Sequence, residues 1–167
     1  MNWTSYLINI KTLIICFLLL FCKTYCQNNN SCLINFGNLD IKTFKVGTDL
    51  NDIEKSFELN KIHTDLKLDY ENYILKEEIL LFEEKKKIKY YFKFKDNMLL
   101  SYFFEIKADI AIYDKMVQQL SEINSFITYN GLDRKYAYFN TNCNDFSTFF
   151  KTKTLVNDLY VQAGISR

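Results

Sequence analysis

The sequence predicts an α+β domain: a mainly antiparallel sheet built on a long central hairpin, with one short and one long helix packed on one face. Three observations predict it. Residues 87–107 alternate apolar and polar side chains through two arms, the period of strands with one buried face. After Lys107 the apolar residues change to 3.6-residue spacing, the period of a helix. The other apolar groups are short and divided by turn residues, which makes neighbouring strands hairpins rather than crossovers.

In the hairpin, Ile88, Tyr90, Phe92 and Phe94 alternate with Lys87, Lys89, Lys93 and Lys95, with Tyr91 the aromatic on the lysine side. The second arm carries Met98, Leu100, Tyr102, Phe104 and Ile106 at the same period. Directly opposed residues share a face of the sheet. A loop of Lys95-Asp96-Asn97 therefore pairs Phe94 with Met98, Phe92 with Leu100, Tyr90 with Tyr102 and Ile88 with Phe104, all apolar, and sets Lys87 against Glu105. A two-residue loop would pair Phe92 with Ser101 and mix the faces. The expected connection is thus a type I turn closed by Asn97 in the left-handed conformation.

The remaining elements follow in chain order. Residues 32–46 hold short apolar groups, read as one or two strands broken near Gly37-Asn38. Gly47 ends them, and Thr48 or Asp49 can cap a helix to about Leu59 with Leu50, Ile53 and Phe57 on one stripe. Strands are predicted at 63–75, on the alternation of Leu66, Leu68 and Tyr70, and at 76–82. The long helix is predicted over about 110–129, from Ile112, Met116, Leu120, Ile123 and Ile127 to the stop at Asn130-Gly131. Strands near 135–141, 146–151 and 158–163 complete the chain, with no internal repeat.

The segment Phe44-Lys-Val-Gly-Thr-Asp-Leu-Asn-Asp-Ile-Glu-Lys-Ser-Phe57 resembles a pattern in two kinds of small periplasmic protein: the SmpA/BamE outer-membrane lipoproteins and the β-lactamase-inhibitor-protein-like domains. In them a strand leads through Gly and a small polar residue into a short helix packed on an antiparallel sheet. The resemblance covers about a tenth of the chain, and it departs at Glu58-Leu59-Asn60, where those families carry Gly-x-Pro. It implies an α+β domain with a helix on a sheet face. It also implies an inhibitor or immunity-like role as one functional alternative.

The N-terminus carries a compartment signal. Thr12 to Cys22 is almost unbroken apolar sequence between Lys11 and Lys23, and Thr24 and Cys26 stand at −3 and −1 of a cut before Gln27. That is the layout of a secretory signal peptide. The apolar core is short for a membrane span, which needs ~20 residues. The expected organisation is a signal peptide over 1–26, a polar disordered tail over 27–31 and one domain over 32–167, secreted or periplasmic. An uncleaved leader, or a lipidated Cys26 or Cys22, would instead anchor the protein at the membrane. After cleavage no integral span is expected.

Composition narrows the chemistry. The chain of 167 residues is 49% apolar and 17% aromatic, enough for a core. Its net charge of +1 implies no strong electrostatic partner, and no nucleic-acid role is assigned. Of five cysteines, Cys32 and Cys143 lie beyond the leader. In an oxidising compartment they form a disulfide closing about 110 residues, worth up to ~4–5 kcal/mol on the chain-entropy model, or they stay as two thiols.

No cofactor is expected. His63 is the one histidine, so a His-rich metal site is excluded, and no Gly-rich phosphate loop or nucleophile elbow is present. Paired carboxylates are the available catalytic groups: Asp69 with Glu71, Glu77 with Glu78, Glu83 with Glu84. They read either as acid and base of a small secreted hydrolase or as an outward strand face. Lys87, Lys89, Lys93 and Lys95 read either as a basic surface or as a solvated strand face that guards an edge. Tyr91, Leu99 and Phe103 are expected on the face opposite the core, where either a second layer covers them or a partner does. The function expected is a non-enzymatic binding or envelope-associated protein with a protein partner in the cell envelope.

Overall fold

The structure, a computed structural model, describes residues 33–65, 69–123, 126–130, 135–139, 146–155 and 158–166, with the backbone alone for residue 65, for 126–130 and for 135–139. Its elements are α1 (Leu50–Glu54), β1 (Asn60–Asp65), β2 (Tyr70–Leu81), β3 (Glu84–Lys95), β4 (Met98–Lys107), α2 (Ile110–Ser121), β5 (Phe126–Asn130), β6 (Lys135–Phe139), β7 (Ser147–Leu155) and β8 (Asp158–Ser166). This is an α+β fold. The strands form one antiparallel sheet in the order β1-β2-β3-β4-β8-β7-β6-β5, and side chains are described on β1–β4, β7 and β8.

Among the described residues the order of elements repeats: a helix followed by four consecutive strands, twice. The two four-stranded meanders meet through their last strands, β4 and β8, paired antiparallel from Tyr102↔Ile165 to Lys107↔Tyr160. No matching repeat is legible in the residues.

One face of the sheet carries the core. Ile88, Tyr90, Phe92 and Phe94 of β3 are buried, with Tyr102, Phe104 and Ile106 of β4, Val161, Ala163 and Ile165 of β8 and Phe150 of β7. Leu50 and Ile53 of α1 and Ile112, Tyr113, Met116 and Leu120 of α2 belong to the same cluster. The Asp109 side chain caps α2 by accepting from the Ile112 N–H at 2.8 Å.

The segment before α1 is irregular rather than one or two strands. Gly37 takes a positive φ of 60°, yet Ile34, Phe36, Leu39, Ile41 and Phe44 are all buried. Phe44 meets four rings edge-on: Phe57, Tyr90, Phe92 and Tyr102. Gly47 N–H donates to Leu99 O at 2.8 Å, and Leu99 N–H donates to Thr48 O at 2.9 Å, which ties this segment to the start of β4.

The hairpin connection differs from expectation. Asp96 and Asn97 both take positive φ, 50° and 62°, so the loop is a two-residue type I′ turn with Lys95 opposite Met98. The face conflict is resolved by an irregularity between Lys93 and Phe94. Phe94 pairs with Leu99 and Lys93 with Ser101, leaving Leu100 as the extra residue. The inward phase of β4 therefore begins at Leu99, skips one residue and resumes at Tyr102. Phe92 faces Tyr102, Tyr90 faces Phe104 and Ile88 faces Ile106. Met98, expected in the core, is 41% exposed, and Leu99, expected outside, is fully buried.

Three boundaries also move. α1 is one turn, ending at Glu54. β2 begins at Tyr70 and runs unbroken through Leu75–Lys76, and Leu66 and Leu68 lie outside the described residues. The long helix stops at Ser121 and Phe126–Asn130 is strand, so Ile123 is 43% exposed instead of continuing the buried stripe. Cys32 and Cys143 lie outside the described residues.

Candidate binding face

Strand pairing assembles the second face of the sheet in rows. One row runs Ile74, Tyr91, Phe103, Gly164, Phe149, each residue the direct partner of the next. Tyr91 and Phe103 stack at 4.7 Å between ring centroids with 15° between planes. Phe103 and Phe149 approach at 6.2 Å although β8 lies between their strands. Gly164 allows this. A Cβ there would stand 2.2 Å from the Tyr102 carbonyl oxygen and 2.5 Å from the Phe103 Cα, so only a bare backbone fits. The rings face one another along the row, which leaves a ridge of half-buried aromatic residues. Lys151 Nζ lies 4.8 Å from the Phe149 ring centroid, within cation–π range.

The adjacent row is polar: Lys76, Lys89, Glu105, Gln162, Lys151. Glu105 is 11% exposed at its side chain, accepts from Gln162 Nε2 at 2.8 Å and lies 3.8 Å from Lys153 Nζ. Burial first, and then the Glu105 charge, push the Tyr91 phenol above its ordinary value. Beyond this row Glu78 faces Lys87, and Lys107, which pairs with Asp158 at 2.7 Å, faces Tyr160.

The expected partner surface is thus partly reassigned. Tyr91 and Phe103 lie on the outer face together. Leu99 does not, because the extra residue at Leu100 turns it inward. The sequence did not single out Phe149 and Gly164, which come from the second meander.

The expected basic surface divides. Lys93 Nζ sits 3.7 Å from the Tyr70 ring centroid and Lys95 Nζ 5.8 Å from it, near the hairpin turn. Lys87 and Lys89 stand exposed further along β3, joined by Lys76 of β2. β2 and β3 are interior strands, so these lysines guard no edge.

Three of the six candidate carboxylates are engaged by lysines. Lys42 bonds both Glu77 oxygens, Lys61 bonds Glu71, and Lys86 pairs with Glu84 at 2.6 Å. The Lys61 hydrogen bond, followed by that of Tyr73, holds the Glu71 carboxyl below the usual range, opposite to what a general acid needs. Asp69 and Glu83 occupy turns with φ of 55° and 70°. His63 is exposed on β1. Among the described residues no group of three or more His, Cys, Asp or Glu is placed to hold a metal ion, and no helix is long and apolar enough to cross a membrane. No family model, curated protein or solved structure matches this chain.

Proposed function

We propose that this chain is a secreted or periplasmic, non-enzymatic protein that binds a protein partner of the cell envelope through the outer face of its sheet. The observation that carries this reading is the stacked Tyr91–Phe103 pair, extended to Phe149 across Gly164. A continuous aromatic ridge on a face rimmed by lysines and glutamates has the make-up of a partner site, apolar at the centre and polar at the rim. On this reading the β3–β4 hairpin is the centre of the scaffold, and both helices lie on the core face, which leaves the ridge to the partner. The leader-like N-terminus favours export, and a Cys32–Cys143 bond would suit that compartment. The hydrolase alternative has less support, because Glu71, Glu77 and Glu84 are held by lysines. The inhibitor-like role implied by the resemblance of 44–57 would be one form of the same binding.

The test is photo-crosslinking in the producing cell. A photoreactive phenylalanine analogue at Tyr91 should give a saturable protein adduct, competed by unlabelled protein and lost in Phe103→Asp. The same analogue at the exposed Ile110 should not. Equal adducts at both positions, or none at Tyr91, would refute the assignment of the face. Mass analysis of the exported protein should show an N-terminus at Gln27, and an intact leader would refute cleavage.

A further inference from the structure

We propose that Lys76, Lys87 and Lys89 form a binding site for a dianionic phosphate group on the outer face of β2 and β3. The proposal does not rest on the ridge reading, since a partner on the ridge need not enter this groove. Its first observation is an adverse placement: Lys76 and Lys89 are direct cross-strand partners. Like charges directly opposed destabilise a strand pair, and edge protection gives no reason for them on interior strands. Lys87 projects from the same face of β3, about 7 Å along the strand from Lys89. All three are exposed, and none takes part in an ion pair among the described residues.

The second observation is a groove of about 340 Å³ lined by Lys76, Glu77, Glu78, Lys87, Ile88 and Lys89. The Glu77 carboxylate is held by Lys42, and Glu77 pairs with the buried Ile88 on the core side. The groove lining therefore presents three ammonium groups and one carboxylate, Glu78, a surplus of two positive charges; Glu105, the partner of Lys89 on β4, lies outside the lining and is engaged by Gln162 and Lys153. A phosphate monoester carries about −1.5 to −2 at neutral pH and matches that surplus, whereas a single carboxylate offers about half of it. Lysine ammoniums suit such a ligand, being compact charges with three donors each. A bound dianion would turn the opposed lysines from a repulsion into two arms of one site. The shared chemistry is the phosphate monoester, whether free, on a soluble molecule or on a lipid headgroup.

Nuclear magnetic resonance titration of the exported protein tests the site, with methyl phosphate in one arm and phosphatidic acid vesicles, against phosphatidylcholine vesicles, in the other. Saturable amide shifts centred on 76–78 and 87–89, weakened at least tenfold in Lys76→Gln/Lys89→Gln, are expected, and the arm that binds names the source. The double variant removes a repulsion, so it should melt at or above the temperature of the parent protein. Shifts equalled by acetate at matched ionic strength, or binding unchanged in the double variant, would overturn the proposal. The Tyr91 cross-link in that variant reports on the ridge separately, so the two readings can fail independently.

Discussion

Phe44→Ala should be among the most damaging single substitutions in this protein, although Phe44 belongs to no helix or strand. Its ring is 5% exposed and meets Phe92 at 4.8 Å, Tyr102 at 5.4 Å, Tyr90 at 5.5 Å and Phe57 at 5.6 Å, with interplanar angles of 72–89°. Each contact sets a ring edge toward a ring face, the favoured geometry for aromatic pairs. Truncating a buried Phe to Ala costs about 3–5 kcal/mol, the transfer loss plus the cavity left behind. Single edge-to-face pairs add about 0.5–1.5 kcal/mol beyond area, but four pairs sharing one ring do not sum, so the upper end of that range is the estimate. Against a total of about 5–15 kcal/mol for a domain, this is a large fraction. Phe44→Leu fills most of the volume without a ring and should cost about 1.5 kcal/mol or less. Urea unfolding followed by circular dichroism measures both, with the denaturant slope expected to stay constant. A loss below ~1.5 kcal/mol for Phe44→Ala, or equal losses for Ala and Leu, would refute the ring-hub reasoning.

Two further outcomes are expected. Gly164→Ala places a methyl group against backbone atoms of Tyr102 and Phe103, which cannot swing aside, so β4 and β8 must separate at a cost of about 1–3 kcal/mol. A melting temperature equal to that of the parent protein would show the approach to be looser than described. At high pH, burial pushes the phenols of Tyr73, Tyr102 and Tyr113 up to about 12, assisted at Tyr73 by the Glu71 carboxylate. The unfolded chain loses these protons near pH 10 while the folded chain keeps them. Stability is therefore complete below about 10 and falls from there to about 12. Ultraviolet titration should show these tyrosines ionising together with unfolding. Their ionisation near pH 10 in a protein that stays folded would contradict the burial.

Much of the sheet was legible because alternation is a local property. Lysines between Ile88, Tyr90, Phe92 and Phe94 mark the inward face of β3 without reference to any other strand, and all four are buried. The second arm is less legible. Leu99-Leu100 offers two apolar residues in succession, so either phase satisfies the pattern locally. The choice was made from outside, by the type I′ turn at Asp96-Asn97 and by the hydrogen bonds that Gly47 and Thr48 make to Leu99. The helical period overruns the end of the long helix for a related reason. Ile123 and Ile127 continue the helical period, but Phe126–Asn130 gains a strand partner in β6.

The sequence by itself determined the fold class, the inward row of β3, the start of α2 and Tyr91 and Phe103 as outward aromatics. Each of these depends on a period carried within a few consecutive residues. The tertiary structure decided everything that depends on which strand lies beside which. The order β1-β2-β3-β4-β8-β7-β6-β5 brings Gly164 and Phe149 to Phe103, and the β2–β3 register sets Lys76 against Lys89. Those neighbours are 13 to 61 residues apart in the chain. No local period encodes such a pairing; it is selected by the one register that buries the apolar rows of both meanders together.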